Sequence, residues 1–121
     1  MDKDDKEKPI NWVGSSLNDL KSFPVDVQQT FGFELHQVQH GKMPDSAKAL
    51  KGISGVYELR DNHDGNTYRA VYIAKLKDAI YVLHCFQKKS KSGIATPKTD
   101  IDLIVNRLKV ATDNSKGKKD E

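Results

Sequence analysis

The chain has a single cysteine, Cys85, in 121 residues. An internal disulfide is therefore excluded, and there is no cysteine spacing from which to build a structural metal site. Cys85 falls within an apolar run, where a buried, inert thiol is the default. Long apolar runs are also missing: none approaches the ~20 residues needed to cross a bilayer. The chain does not open on an apolar segment of the signal-peptide kind, so a soluble, cytoplasmic protein with no membrane partner is expected. Aromatic residues make up only 7% and hydrophobic residues 36%, and the mean hydropathy is -0.68. At this length there is material for one hydrophobic core and not for two.

The polarity is uneven. MDKDDKEK at the start and TDNSKGKKDE at the end are nearly all charged or small and polar. Such segments cannot bury enough apolar area to order themselves, so residues 1–8 and 113–121 are expected as disordered tails around a single domain, 9–112.

Between them the periodicity changes several times. Ile10 and Trp12 alternate, as in a short strand. Ser15 or Ser16 can cap a helix in which Leu17, Leu20 and Phe23 share a face, and Pro24 stops it. Pro24 also suits the start of a second helix, with Val27, Phe31, Leu35 and Val38 in its stripe and Gly41 after its end. A Gly-, Ser- and Lys-rich loop follows. GVYELRD, TYRAVYIA and AIYVLHCFQ then read as three strands joined by the turns NHDGN and KLKD. Pro97 precedes a last helix with Ile101, Ile104 and Leu108 in its stripe and Val105 on the flank. The fold class is thus α+β: an N-terminal helical hairpin on one face of a curved antiparallel sheet, a three-stranded meander and a C-terminal helix. The other face, or one end of the sheet, is left open for function.

Charge is distributed to match. From Lys42 to Lys98 there are eleven Lys or Arg against five acids, a surplus of +6, which suits an anionic partner. If the KLKD turn pairs Lys75 with Asp78, then Ile73 faces Ile80, Val71 faces Val82, and Arg69 faces His84. That register gathers Arg60, Arg69, His84, Lys88 and Lys89 at one end of the sheet. Each has a plainer explanation. The arginines can pair with Glu58 or Asp61, His84 can be a hydrogen-bonded structural histidine, and Lys88, Lys89 and Lys91 can keep a strand end soluble. His36, His40 and His63 lack the spacing of a metal site, so no metal and no cofactor is expected. Taken as a group, arginine forks, lysine charge and a titratable imidazole suit a phosphodiester. RNA carries its own nucleophile, the 2′-hydroxyl, so its cleavage needs a base, an acid and cations rather than a metal.

The segments YELR, TYRAVY, HCFQKKS and TPK, preceded by SLNDLKSFP and ALKGISG, stand in an order that resembles the RelE/ParE superfamily of toxins, and more narrowly its HigB-like, phage-derived branch. The resemblance covers about Trp12 to Ala111. It implies the RelE/ParE-like fold and the toxin half of a type II toxin–antitoxin pair. RNA-cleaving members cut mRNA on the ribosome without a metal, while ParE-like members share the fold and inhibit gyrase. It also implies a cognate antitoxin, often a helix-turn-helix protein, through whose complex the toxin reaches operator DNA. Residue by residue, it matches Arg69 to the position that contacts the scissile phosphate, Lys88 or Lys89 to the basic residue after the last strand, and Arg60 to the arginine closing the YELR strand, with Phe86 nearest to a base-stacking aromatic. With His84 as the most titratable proton carrier, the expected catalytic residues are Arg69, His84 and Lys89. The expected substrate-binding residues are Arg60, Phe86, Lys88, Lys91 and Lys98. The YELR strand departs from relatives that carry lysines there: this chain has Val56, Tyr57 and Glu58, which leaves His84, Lys89 or Glu58 as the candidate base. A non-enzymatic protein of the same fold, or an inactive homologue held by its antitoxin, is the alternative.

Overall fold

The computed structural model describes residues 7–88 and 96–119. In chain order the elements are β1 (Ile10–Trp12), α1 (Ser16–Lys21), α2 (Val25–Gln39), β2 (Lys48–Ala49), β3 (Val56–His63), β4 (Asn66–Ile73), β5 (Ile80–Lys88) and α3 (Lys98–Lys119). The helical hairpin forms as the apolar spacing predicts. Pro24 sits at the cap position before α2, where the N–H it lacks would have no helical partner. The helix ends in a Schellman arrangement: Lys42 N donates to Gln37 O, Gly41 N donates to Val38 O, and Gly41 takes the left-handed φ of 82° this requires. Ser15 occupies the cap position of α1 without a side-chain cap bond. Its hydroxyl instead donates to Asp19 Oδ2.

The five strands form one sheet in the order β1-β5-β4-β3-β2. The meander is antiparallel, and Asp64 and Gly65, both at positive φ, make the tight turn between His63 and Asn66. Three features differ from the expectation. β1 pairs with β5 in parallel, so the sheet is mixed. The loop before β3 contains the two-residue edge strand β2, which pairs with Tyr57 and Glu58. The third difference is in the helices, which cover both faces. α1 and α2 pack on Leu59, Tyr68, Ala70, Tyr72, Ile80, Val82 and Cys85, with Phe23 wedged between Phe31 and Tyr68. On the opposite face α3 lays Ile104, Leu108 and Ala111 over Val56, Val71, Ile73, Tyr81 and Leu83.

The ends of the domain also extend past the expected boundaries. α3 continues through 113–119, where composition predicts a tail, and Ser115 is buried. Ser115 Oγ donates to Asp78 Oδ1, and Asn114 Nδ2 donates to the Tyr81 hydroxyl, so the helix is tied to the β4–β5 turn. Near the start, Lys8 Nζ donates to Ala74 O and Gln39 Nε2 to Lys8 O. Lys8 therefore belongs to the fold. No helix among the described residues is long and apolar enough to cross a membrane.

Candidate functional site

The register of the meander also departs from expectation. Ile73 faces Tyr81 and Tyr72 faces Val82, but Val71 faces His84, Arg69 faces Phe86 and Thr67 faces Lys88. One extra residue, Leu83, is accommodated in β5 as a bulge. The ladder thus starts one residue later than expected, at Ile73–Tyr81 and not Ile73–Ile80. The bulge adds a second residue, so Arg69 stands opposite Phe86 and not His84. On the far side β3 sets Glu58 opposite Val71 and Arg60 opposite Arg69. Side chains two residues apart share a face, so α3's face of the sheet carries a grid. Its rows are Glu58–Val71–His84, then Arg60–Arg69–Phe86, then Asn62–Thr67–Lys88. Neighbouring strands lie ~4.8 Å apart, which puts Glu58 and His84 about 10 Å apart across Val71.

Glu58 is the hub of this grid. Its Oε2 accepts from Arg69 Nη1 at 2.6 Å and from Arg60 Nη2 at 3.3 Å. Glu58 and Arg69 are buried, 5% and 3% exposed, whereas the Arg60 side chain is 34% exposed. Buried charges are tolerated only when paired, and one carboxylate against two guanidiniums leaves the group cationic. Glu58 Oε1, Arg60 Nε and Arg69 Nε are buried without a hydrogen-bond partner. Lys88 is buried at the end of the third row. Its pKa is lowered by desolvation first and then by Arg69 and Arg60, with Glu58 opposing them.

His84 is buried and held from α3: its Nε2 donates to Asp100 Oδ1 at 2.7 Å. Its Nδ1 has no hydrogen-bond partner, and its ring stacks on Phe86 with centroids 4.6 Å apart and planes 16° apart. Beside the grid runs a groove of about 650 Å³. Glu58, Arg60 and Arg69 form its charged side, Lys48 and Lys51 its lip, and Ile53, Ile101 and Val105 an apolar wall.

Of the residues singled out from the sequence, Arg60, Arg69, His84, Phe86 and Lys88 come together on this face. Lys98 does not join them; its side chain is 85% exposed and pairs with Asp102 one turn along α3. Lys89 and Lys91 lie outside the described residues. Three contributors had no separate reading in the sequence. Asp100 shows only as an acid in the first turn of a helix, and Lys48 and Lys51 only as part of a lysine-rich loop. Among the described residues no three His, Cys, Asp or Glu side chains gather as metal ligands would.

Comparison with solved structures finds the same architecture elsewhere. A mutant of the E. coli toxin RelE in the free state superimposes with a TM-score of 0.57 and 14% identity, over 86% of this chain and 97% of that one. The toxin–antitoxin complex RelBE2 from Mycobacterium tuberculosis gives a TM-score of 0.49 and 15% identity, over 69% of this chain and 100% of that one. At such identity the first likeness establishes a RelE-like fold. No curated protein sequence matches the chain. The family model described as phage derived protein Gp49-like (DUF891) matches residues 18–109, most of the chain, and the protein belongs to that family.

Proposed function

We propose that this protein is the toxin of a type II toxin–antitoxin pair, of the HigB-like kind, and that it cleaves mRNA on the ribosome without a metal. The observation that carries the reading is the cluster of buried Arg69 and Glu58 with partly exposed Arg60 at the wall of a lysine-lipped groove. A polyanion backbone bound there is neutralised by Arg60, the accessible fork, with Arg69 and Lys88 adding charge from below. Glu58, whose Oε1 makes no other hydrogen bond, takes the proton of the 2′-hydroxyl. The 2′-oxygen bonds to phosphorus and the bond to the 5′-oxygen breaks. His84, whose Nε2–H is held by Asp100 on the other side of Val71, supplies a proton from its Nδ1 to the departing oxygen. Lys89 retains its proposed part in stabilising charge. The partners proposed with this activity are a cognate antitoxin, such as a helix-turn-helix protein, and operator DNA through their complex. The proposed location is the cytoplasm.

One observation favours a second reading. Arg69 is 3% exposed and Glu58 already occupies part of both guanidiniums, as a structural ion-pair cluster would. A non-enzymatic toxin of the same fold, such as a gyrase inhibitor, needs only the surface. Purified protein mixed with ribosomes translating a defined mRNA separates the two. Cleavage that requires the ribosome and is lost in Arg60→Ala supports the first reading; intact mRNA together with inhibited gyrase supports the second.

A further inference from the structure

We propose that Arg107 is a positioning residue: it holds the β5 bulge open and so decides which side chains of β5 face the site. The inference builds on the site read above as an RNA-cleaving centre.

A regular antiparallel ladder continuing from Ile73–Tyr81 and Tyr72–Val82 would set Val71 opposite Leu83, Arg69 opposite Cys85 and Thr67 opposite Gln87. The face beside Glu58, Arg60 and Arg69 would then carry Leu83, Cys85 and Gln87. With Leu83 as the extra residue, the face keeps Leu83 and sets His84, Phe86 and Lys88 opposite Val71, Arg69 and Thr67. The bulge thus adds an imidazole beside Leu83 and exchanges a thiol and an amide for an aromatic ring and an ammonium. A one-residue slip is ruled out in most strands by burial of one face. β5 is apolar on both faces around this point, with Val82 and Leu83 each fully buried, so its own hydrophobic pattern gives little protection.

Something else must fix the slip, and it is found at the backbone of the bulge. An inserted residue loses its place in the ladder, and its carbonyl needs another donor. Arg107 supplies one: Nη1 donates to Leu83 O at 3.0 Å, from an α3 position two helical turns after Asp100, which holds His84. Its Nη2 donates to Ser15 Oγ at 3.1 Å, joining α3 to the start of α1. The preceding carbonyl, Val82 O, accepts from Val13 N and from Ser16 Oγ. The chain leaves room for the guanidinium at Gly14, where a Cβ would meet it at 2.8 Å and where φ is +59°. The clasp therefore needs glycine at 14, a hydroxyl at 15 and the arginine fork of 107, and none of these touches the groove.

The test uses Arg107→Met, which keeps the apolar stem and removes the donors, and Arg107→Lys, which keeps one cationic donor. Cross-strand backbone NMR contacts report the register directly: an Arg69–Phe86 pair marks the bulged ladder, and an Arg69–Cys85 pair the regular one. In Arg107→Met the Arg69–Cys85 pair is expected to appear, with loss of the protected His84 Nε2 proton and cleavage lower on the order of 100-fold, as for a misplaced catalytic group. Arg107→Lys should restore part of both. Arg107→Met that keeps the Arg69–Phe86 pair and the His84 proton overturns the proposal, whatever its stability. If Arg107→Met does not fold, Arg107→Lys is read by the same contacts, and a wild-type register with wild-type His84 exchange overturns it. A wild-type protein that cleaves no RNA refutes the proposed function, while the register result still decides the role of Arg107.

Discussion

Replacing Glu58 by glutamine removes one negative charge and little volume, and the surroundings set the size of the effect. Arg69, at 3% exposure, has Glu58 as its close counter-ion at 2.6 Å. Glutamine still offers an oxygen to accept a hydrogen bond, but the guanidinium is left as an uncompensated charge out of water. Breaking such a buried pair from one side costs about 3–5 kcal/mol, a large part of the ~5–15 kcal/mol typical of a whole domain. At ~4–8 °C per kcal/mol for a domain near this size, Glu58→Gln should melt at least about 12 °C below the parent. Removing the stranded charge as well, in Glu58→Gln with Arg69→Met, should recover most of that loss, since a well-packed apolar replacement of a buried pair is often neutral. Arg60→Ala is the contrast, because its half-exposed pair contributes ~1 kcal/mol or less. Thermal melts followed by circular dichroism give all three values. A Glu58→Gln protein that melts within ~2 °C of the parent would refute the idea that Glu58 neutralises a buried guanidinium.

Burial pushes the Cys85 thiol up to about 12, so native protein should resist iodoacetamide at pH 8 and react once unfolded in urea. The same shift makes stability fall with pH above the ordinary thiol value of 9, because the unfolded chain then gives up a proton that the folded chain keeps. The slope is about 1.4 kcal/mol per pH unit until the folded thiol itself ionises, and Cys85→Ala should flatten this alkaline limb of the stability curve. Deleting 113–121 should lower stability by a few kcal/mol in urea titration, at ~1–3 kcal/mol for each buried polar group deprived of a partner, because the bonds from Asn114 and Ser115 are lost. A disordered tail could be removed without effect. Arg60→Ala should weaken single-stranded RNA binding and make the slope of log affinity against log salt shallower by ~0.7, the value of one phosphate contact.

Much of the scaffold was legible because its signals are local. Val27, Phe31, Leu35 and Val38 repeat at helical spacing, Pro24 and Gly41 mark the ends of α2, and Asp64-Gly65 specifies a tight turn. Coverage of the second face was visible in principle: AVYI and YVLHC are apolar without alternation, as strands buried on both sides are. The continuation of α3 was hidden because Ala111 and Ser115, which extend the stripe of Ile104 and Leu108, are small residues within a polar stretch. The site was legible in its membership more than in its arrangement. Arg60, Arg69, His84 and Lys88 could be gathered at one sheet end from strand order, while Phe86 entered only through the resemblance. Their rows could not, because the turn sets Ile73 opposite Tyr81 and not Ile80, the extra residue at Leu83 shifts every later pairing once more, and a two-faced apolar strand gives no alternation to reveal either shift. The ion pairs to Glu58, read from the sequence as the plain alternative, are present and belong to the same cluster as the groove.

The central claim is that the cationic groove cuts RNA through its own 2′-hydroxyl. It is tested most directly by mapping RNA ends in cells after brief induction of this protein or of Arg60→Ala. The account predicts new ends within translated regions only for the parent, with a 2′,3′-cyclic phosphate on the upstream fragment and a 5′-hydroxyl on the downstream one. Arrested cells whose transcripts stay intact, or equal cleavage by Arg60→Ala, would contradict it.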